Sequence, residues 1–450
     1  MLGFLDPLEA LQSRLLDAIG DAVIVTVWHY DRPVDHARLR EFHVALQRGP
    51  LGRSIEASPI RGASGRWVMA DTFAELFVEP HPIAREQFEG WLDSRIAEPL
   101  STAGGPGWRL STTAFADGGS AVCLVATHKI ADVKAISQAV AQAVRTDESG
   151  ADQVSSNGTG RRSSLAEYLA AITMRSAVGC TLAIRRVASI VARQSNTQQI
   201  ASAETGGNTS SEPSGPPPRP ARVAVAIPAE QWQQSAEKLN GSTTSLCAAV
   251  TASIASALGR VNGDGVATLL MPVSTRTGPD DIRGNAIAST PLNVPVSFDG
   301  SKAPDLAQIR QLIKQSLAAQ PSRKRDRRDA RALISLPQAQ FSEVVEMAGE
   351  HLATDQSVCS VVGKLDHKLP FIDGGEASSV WAGLVNPQLE DGRALQSQSS
   401  MLSVLIVEAC GQIALRFVGF HDDRVADTAQ LRSLVLDVFE SYGMSAVSLT

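Results

Sequence analysis

The stretch AVCLVATHKIADVKAISQAV, Ala121 to Val140, decides how this chain is read. Its first six residues are an unbroken apolar run, the pattern of a strand buried on both faces. The run releases His128, and four residues later comes Asp132. Apolar residues then recur at helical spacing. An imidazole titrates near neutrality, so a histidine held at the end of a buried strand is placed to take or give a proton. The ordinary alternative is a strand-end histidine satisfied by a backbone carbonyl.

Reading outward, WRLSTTAFADGGSAVCLVAT, which starts at Trp108, predicts two strands joined by a hairpin turn at Asp117–Gly119. Ala22–Tyr30 reads as a strand and Val34–Arg48 as a helix, with a turn at Asp31–Pro33 between them. The same alternation restarts at Ala221. ARVAVAIPAEQWQQSAEKLN passes from strand to helix, and Ser242–Val261 is a small-residue helix with a Ser or Thr cap. VATLLMPVSTR is a strand leading to Arg276. A further strand (ASTPLNVPVSF), a helix (APDLAQIRQLIKQSLAA), a strand pair (SMLSVLIVEACGQIALRFVGF) and a closing helix from Asp427 follow.

Between the halves, Arg193–Arg222 is rich in Ser, Thr, Gly, Pro and Gln and has almost nothing to bury, so a mobile linker is expected there. Leu165–Ala192 before it has a helical pattern. Its Arg175, Arg185 and Arg186 exclude a membrane span, leaving a core-docked or membrane-surface helix. The expected organisation is an N-terminal α/β half over residues 1–145, a linking helix and linker over 146–221, and a second α/β half over 222–450. A chain of 450 residues suits two domains.

Hydrophobic residues make up 43% and charged residues 20%, an ordinary soluble composition, and the net charge of −6 argues against nucleic acid as the main partner. Cys123, Cys180, Cys247, Cys359 and Cys410 show no CxxC spacing and read as reduced, buried thiols of a cytoplasmic protein. The other histidines have no metal-ligand spacing, so no metal site is expected. The first twenty residues lack the basic n-region of a secretion signal. RKRDRRDAR, Arg323–Arg331, is the one dense charge run, either a solvated helix face or an electrostatic rim for phosphates or an anionic membrane.

A strand ending in His, three residues, an Asp and a helix, followed by a second α/β half, resembles the chloramphenicol acetyltransferase-like superfamily. Its signature is HHxxxDG or HxxxDG; this chain reads Thr127-His128-Lys-Ile-Ala-Asp132-Val133, with Thr127 for the first His and Val133 for the glycine. STTSLCAAVTASIASAL is similar to the family's TV-x-x helix. MPVSTRTGPDDIRGNAIASTPLNVPVSF is similar to its PVxxR…GN…PL segment, and CSVVGKL to its SN-x-G strand. Ser245 and Leu246 stand where wax ester synthases carry Asn-Asp, and the DFGWG segment is missing. The pattern therefore leans toward the glycolipid and polyketide O-acyltransferase branch.

The resemblance implies an α/β (α+β) fold of two halves with mixed sheets. It implies transfer of a fatty or polyketide acyl group from a thioester to a hydroxyl, with His128 as general base in a tunnel between the halves. It implies that Asp132 holds the loop through an ion pair, with Arg276 as its partner. The donor would be acyl-CoA or acyl-phosphopantetheine on a carrier protein, used as a co-substrate with no bound cofactor, and the acceptor an alcohol or glycolipid. The location implied is cytoplasmic or peripheral at the inner membrane. The alternative is a catalytically degenerate, condensation-like protein that binds a lipid or a partner protein.

Overall fold

The computed structural model describes residues 3–59, 63–101, 104–148, 219–278, 281–296, 306–319, 323–352, 356–386, 390 and 400–449. The helix expected over 165–192, nearly all of the linker over 193–222, and Cys180 lie outside these residues.

The first part of the chain forms α1 (Pro7–Ile19), β1 (Val23–Tyr30), α2 (His36–Arg48), β2 (Arg53–Glu56) and β3 (Arg66–Met69). It continues through β4 (Leu76–Val78), α3 (Phe88–Ala97), β5 (Trp108–Ala114), β6 (Ser120–Thr127) and α4 (Val133–Glu148). After residue 219 come β7 (Ala221–Pro228), α5 (Ala229–Lys238), α6 (Thr243–Ala257), β8 (Val266–Ser274) and β9 (Ile287–Pro295). Then follow α7 (Leu306–Ala318), α8 (Arg323–Ile334), α9 (Gln338–Leu352), β10 (Gln356–Lys364) and β11 (Ser379–Val385). The strands β12 (Ser400–Ala409) and β13 (Gln412–His421), the helix α10 (Thr428–Ser441) and β14 (Val447–Ser448) close the chain.

Two mixed sheets organise these elements. The first runs β11-β1-β6-β5-β4 and the second β14-β7-β13-β12-β10-β8-β9. In the first, β1 is paired antiparallel on both sides, to β11 and to β6. That position explains why all eight residues of β1 and of β6 are buried. The β5–β6 hairpin closes through Asp117–Gly119 as its turn residues require, with Gly118 at φ 94°.

The chain order and the sheets do not coincide. A division at residue 222 is crossed by β11, which leaves the second half to form the edge of the first sheet. From there β11 packs against β12 and β13, so it belongs to the seam. Arg416 on β13 lies over the Trp381 ring of β11 at 4.7 Å and holds the Glu89 carboxylate of α3 with both terminal nitrogens, at 2.8 and 2.7 Å. Gly383 faces the Arg416 stem, and a side chain there would meet it at 3.1 Å.

Ser245 and Leu246 have structural work in α6. The Ser245 hydroxyl accepts from the Ser242 backbone at 2.7 Å, completing a capping box with the N-cap Ser242. Leu246 is fully buried, and every residue from Ser245 to Ala255 is enclosed. The small side chains of α6 let it run through the core of the second half rather than over its surface.

Helix α1 is an element that the sequence reading missed. Asp6-Pro7-Leu8-Glu9 carries its start signal: Asp6 as N-cap, proline at the first helical position and glutamate at the third. The basic run is only in part a solvated face, because α8 packs on α1. Arg327 pairs with Asp6, and Arg14 donates to the Ile334 and Leu336 carbonyls at 2.6 and 2.7 Å. Arg328 and Arg331 face solvent. Among the cysteines, Cys123, Cys247 and Cys359 are buried, whereas Cys410 is half-buried at the β12–β13 turn, where its φ is 51°.

Candidate active site

The segment from Thr127 to Val133 joins the end of β6 to the start of α4, and its neighbours fix its course. Thr127 N–H donates to the Gly107 carbonyl at 2.8 Å, and His128 N–H to the Ala22 carbonyl at 2.7 Å. Thr127, which stands in place of the first motif histidine, turns its hydroxyl to the Asp21 carboxylate at 2.8 Å. Lys129 pairs with Asp17 at 2.8 Å. Val133 is the first residue of α4 and is buried, so the glycine position of the motif is occupied by a core side chain.

Asp132 is buried and accepts three hydrogen bonds. One oxygen accepts from Ala135 N–H at 2.8 Å, which makes Asp132 the cap of α4. The other accepts from Arg276 Nη1 at 2.6 Å and from Ala286 N–H at 2.9 Å. Both side chains of the ion pair are about 95% enclosed, at 6% and 5% exposure for Arg276 and Asp132. Of the other two guanidinium nitrogens, Nη2 donates to the Arg283 and Gly284 carbonyls at 2.8 and 3.3 Å, while Nε is buried with no hydrogen-bond partner among the described residues. Withdrawing a pair so far from water is costly, and the bonds to Ala135, Ala286 and the two carbonyls offset part of that cost.

Arg276 and Ala286 bracket the connection between β8 and β9, so the second sheet grips the first at this loop. The connection braces itself: Arg283 donates to the Asp281 carboxylate at 2.8 Å and to the Thr275 carbonyl at 2.7 Å. That hydrogen bond holds the Asp281 carboxyl well below the usual carboxylate range. Gly284 lies against the motif loop, accepting from Asp132 N–H at 2.8 Å. A Cβ at Gly284 would fall 2.1 Å from the Ile130 carbonyl oxygen, so only glycine permits this approach.

His128 is half-buried beneath this connection. Its Nδ1 lies 3.2 Å from the Ala131 carbonyl oxygen and 3.2 Å from Asn285 Nδ2, while Asn285 Nδ2 donates to the His128 carbonyl. The Ala131 carbonyl can only accept and is served by a proton on Nδ1, which leaves Nε2 as the basic nitrogen; the Asn285 amide nitrogen can only donate and is served by the opposite tautomer. Burial pushes the His128 pKa below its ordinary value, against the opposing pull of the Asp132 carboxylate. The imidazole is therefore neutral at physiological pH.

Sequence reasoning singled out His128, Asp132 and Arg276, and the fold brings all three to one loop. It missed Asn285 and Glu9. Glu9 reaches from α1 to accept from Gly284 N–H at 2.8 Å. The Gly284-Asn285 pair was visible in the quoted segment; no local signal pointed from Glu9 to it. A separate cavity of about 330 Å³ lies at the far end of β1, lined by His29, Arg85, Ser379 and Gln412 among others. Six residues along β1 separate His29 from the His128 end, roughly 20 Å of strand.

The same architecture occurs in solved structures. TRI101 of F. sporotrichioides, complexed with coenzyme A and T-2, superimposes with a TM-score of 0.58 at 12% identity over 99% of each chain. The first condensation domain of the calcium-dependent antibiotic synthetase, in complex with a substrate analogue, gives 0.56 at 14% identity over 100% of this chain and 98% of that one. The condensation domain of the Monacolin K polyketide synthase MokA gives 0.54 at 13% over 98% and 96%. The chain therefore shares its two-sheet fold with TRI101 and with these condensation domains. At these identities the likeness speaks for the fold. No protein-family profile matches the sequence, and no curated protein sequence matches it. Among the described residues no helix is long and apolar enough to cross a membrane.

Proposed function

We propose that this protein transfers an acyl group from a thioester to a hydroxyl acceptor, with His128 as general base. The observation that carries the reading is the seat of the His128 ring, with Nδ1 3.2 Å from the Ala131 carbonyl oxygen: in the tautomer that donates to this carbonyl, Nε2 takes the proton of an attacking hydroxyl. As the hydroxyl oxygen attacks the thioester carbonyl, its proton passes to Nε2. Collapse of the tetrahedral intermediate then expels the thiolate, which recovers that proton as the free thiol. In this reading Asp132 and Arg276 take no part in proton transfer and hold the loop.

The coenzyme A complex of TRI101 supports a coenzyme A thioester as donor, and the condensation-domain neighbours support a carrier-protein thioester as the variant to try second. The acceptor in this reading is an alcohol, a glycolipid among the candidates. Purified protein, a panel of acyl-CoA thioesters and alcohol acceptors, and detection of free thiol together test it. Wild type is expected to release thiol in an acceptor-dependent way. His128→Ala is expected to remain folded and to lose roughly 10²–10⁴ in rate, what one positioned base supplies. Wild-type rates in the variant would remove His128 from the chemistry. Donor binding without transfer in the wild type would favour a protein that binds its ligand without transforming it.

A further inference from the structure

Glu9 has two duties, one on each oxygen. Oε2 accepts from Asp6 N–H at 3.0 Å, the usual return bond of a capping box. Capping alone would leave the other oxygen to water. Instead Oε1 is turned inward and accepts from Gly284 N–H at 2.8 Å and Asn285 N–H at 3.4 Å, across 275 residues of chain. Glu9 is 3% exposed, and among the described residues its hydrogen-bond partners are backbone amides. Placing a carboxylate there costs desolvation, seen in its raised pKa, which the three amide donors only partly offset. A helix cap does not require that cost, since an exposed glutamate caps as well.

What the inward oxygen holds is the wall of the candidate site. Gly284 and Asn285 are the residues that touch the motif loop: Gly284 accepts from Asp132 N–H, and the Asn285 amide binds the His128 carbonyl and lies 3.2 Å from Nδ1. Asn285 is itself 2% exposed. The chain of contacts therefore runs from Glu9 through two backbone amides to one side chain that meets the imidazole. We infer that Glu9 is a positioning residue, anchoring the Gly284-Asn285 wall that seats the His128 ring and coupling helix α1 to the site. The inference rests on His128 being the base, but its geometric part is measurable without any substrate.

The test uses the full chain with histidine-selective isotope labelling, the His128 signal being assigned from its loss in His128→Ala. In Glu9→Ala the wall loosens, water reaches the ring, and the His128 titration midpoint moves up toward the ordinary histidine value. With the substrates found for the wild type, kcat falls by about 10- to 100-fold with donor KM unchanged, the scale expected when a reacting group is misplaced by about an ångström. Glu9→Gln keeps an acceptor at Oε1 and restores the wild-type titration and most of kcat. Should Glu9→Ala fail to fold, Glu9→Asp decides: it keeps the charge but shortens the reach by one methylene, and is expected to show the same shift in smaller measure. A folded variant that melts lower yet keeps the wild-type His128 titration and kcat would reduce Glu9 to a helix cap and overturn the inference. If the wild type transfers no acyl group, the proposed function fails by itself, and the titration still decides whether Glu9 seats the ring.

Discussion

The His128 imidazole carries a proton balance that can be followed in solution. Burial lowers its pKa below the ordinary 6.5. An unfolded chain would hold that proton up to about 6.5, while the folded protein sheds it at lower pH. Between the two values the unfolded state binds more protons, so this group's contribution to stability grows as pH rises through the window and is lost as pH falls. The same neutral ring serves a base. For acyl transfer, kcat/KM is expected to climb on an acid limb centred below pH 6.5 and to level off above it. A limb centred at or above 6.5 would assign the base role to another group.

At the scale of elements, Asp132 is where a helix, a loop and a second sheet are joined. It caps α4, pairs with Arg276 beyond β8 and accepts from Ala286 before β9. Asp132→Ala removes all of these at once and leaves a buried guanidinium without its counter-charge. The expected loss is about 3–5 kcal/mol of stability, the range for stripping one partner from a buried pair. Denaturant titration measures it directly. Activity is expected to fall with it, because the His128 loop leads into α4. Full stability with only the rate lost would instead make Asp132 a participant in the chemistry. The connection from Thr275 to Ala286 has the opposite character: its described residues form no helix or strand, yet Arg283, Asp281 and Arg276 tie it down by side chains. Its glycine at 284 is what lets two loops from different sheets touch.

Across the whole molecule, the two sheets are joined by a strand exchange and by charged contacts along the seam. Arg222 pairs with Asp93 and Glu390, and Arg416 with Glu89, so α3 of the first half is tied twice to the second. Arg416 is 5% exposed in its side chain and Glu89 28%, which places this pair between a surface bridge and a buried one. Arg416→Ala is expected to cost roughly 1.5–3 kcal/mol, the worth of hydrogen bonds to a charged group. A double-mutant cycle with Glu89→Ala would assign that cost to the pair. Additive single effects would show that the loss comes from the Trp381 stacking alone.

The parts of this protein that its sequence determined are those written locally. Apolar runs such as Ala121–Ala126 specify strands that cannot face water. Asp117-Gly-Gly closes a hairpin because its backbone needs glycine, and Ser242 starts a helix because its oxygen satisfies an orphan amide. The motif pair His128 and Asp132 was legible for the same reason, since four residues separate them. Arg276 came into view only through a family pattern, because the ion pair spans 144 residues. Other decisions belonged to the tertiary structure. The edge position of β11 in the first sheet depends on which backbone edge lies open beside β1, and hydrogen bonding between strands leaves no mark in either sequence. Glu9 looks in sequence like a helix cap, and its inward oxygen gains a second meaning only when the Gly284 and Asn285 amides are brought to it. A buried polar group must find partners, but the chain does not record locally which distant backbone will supply them.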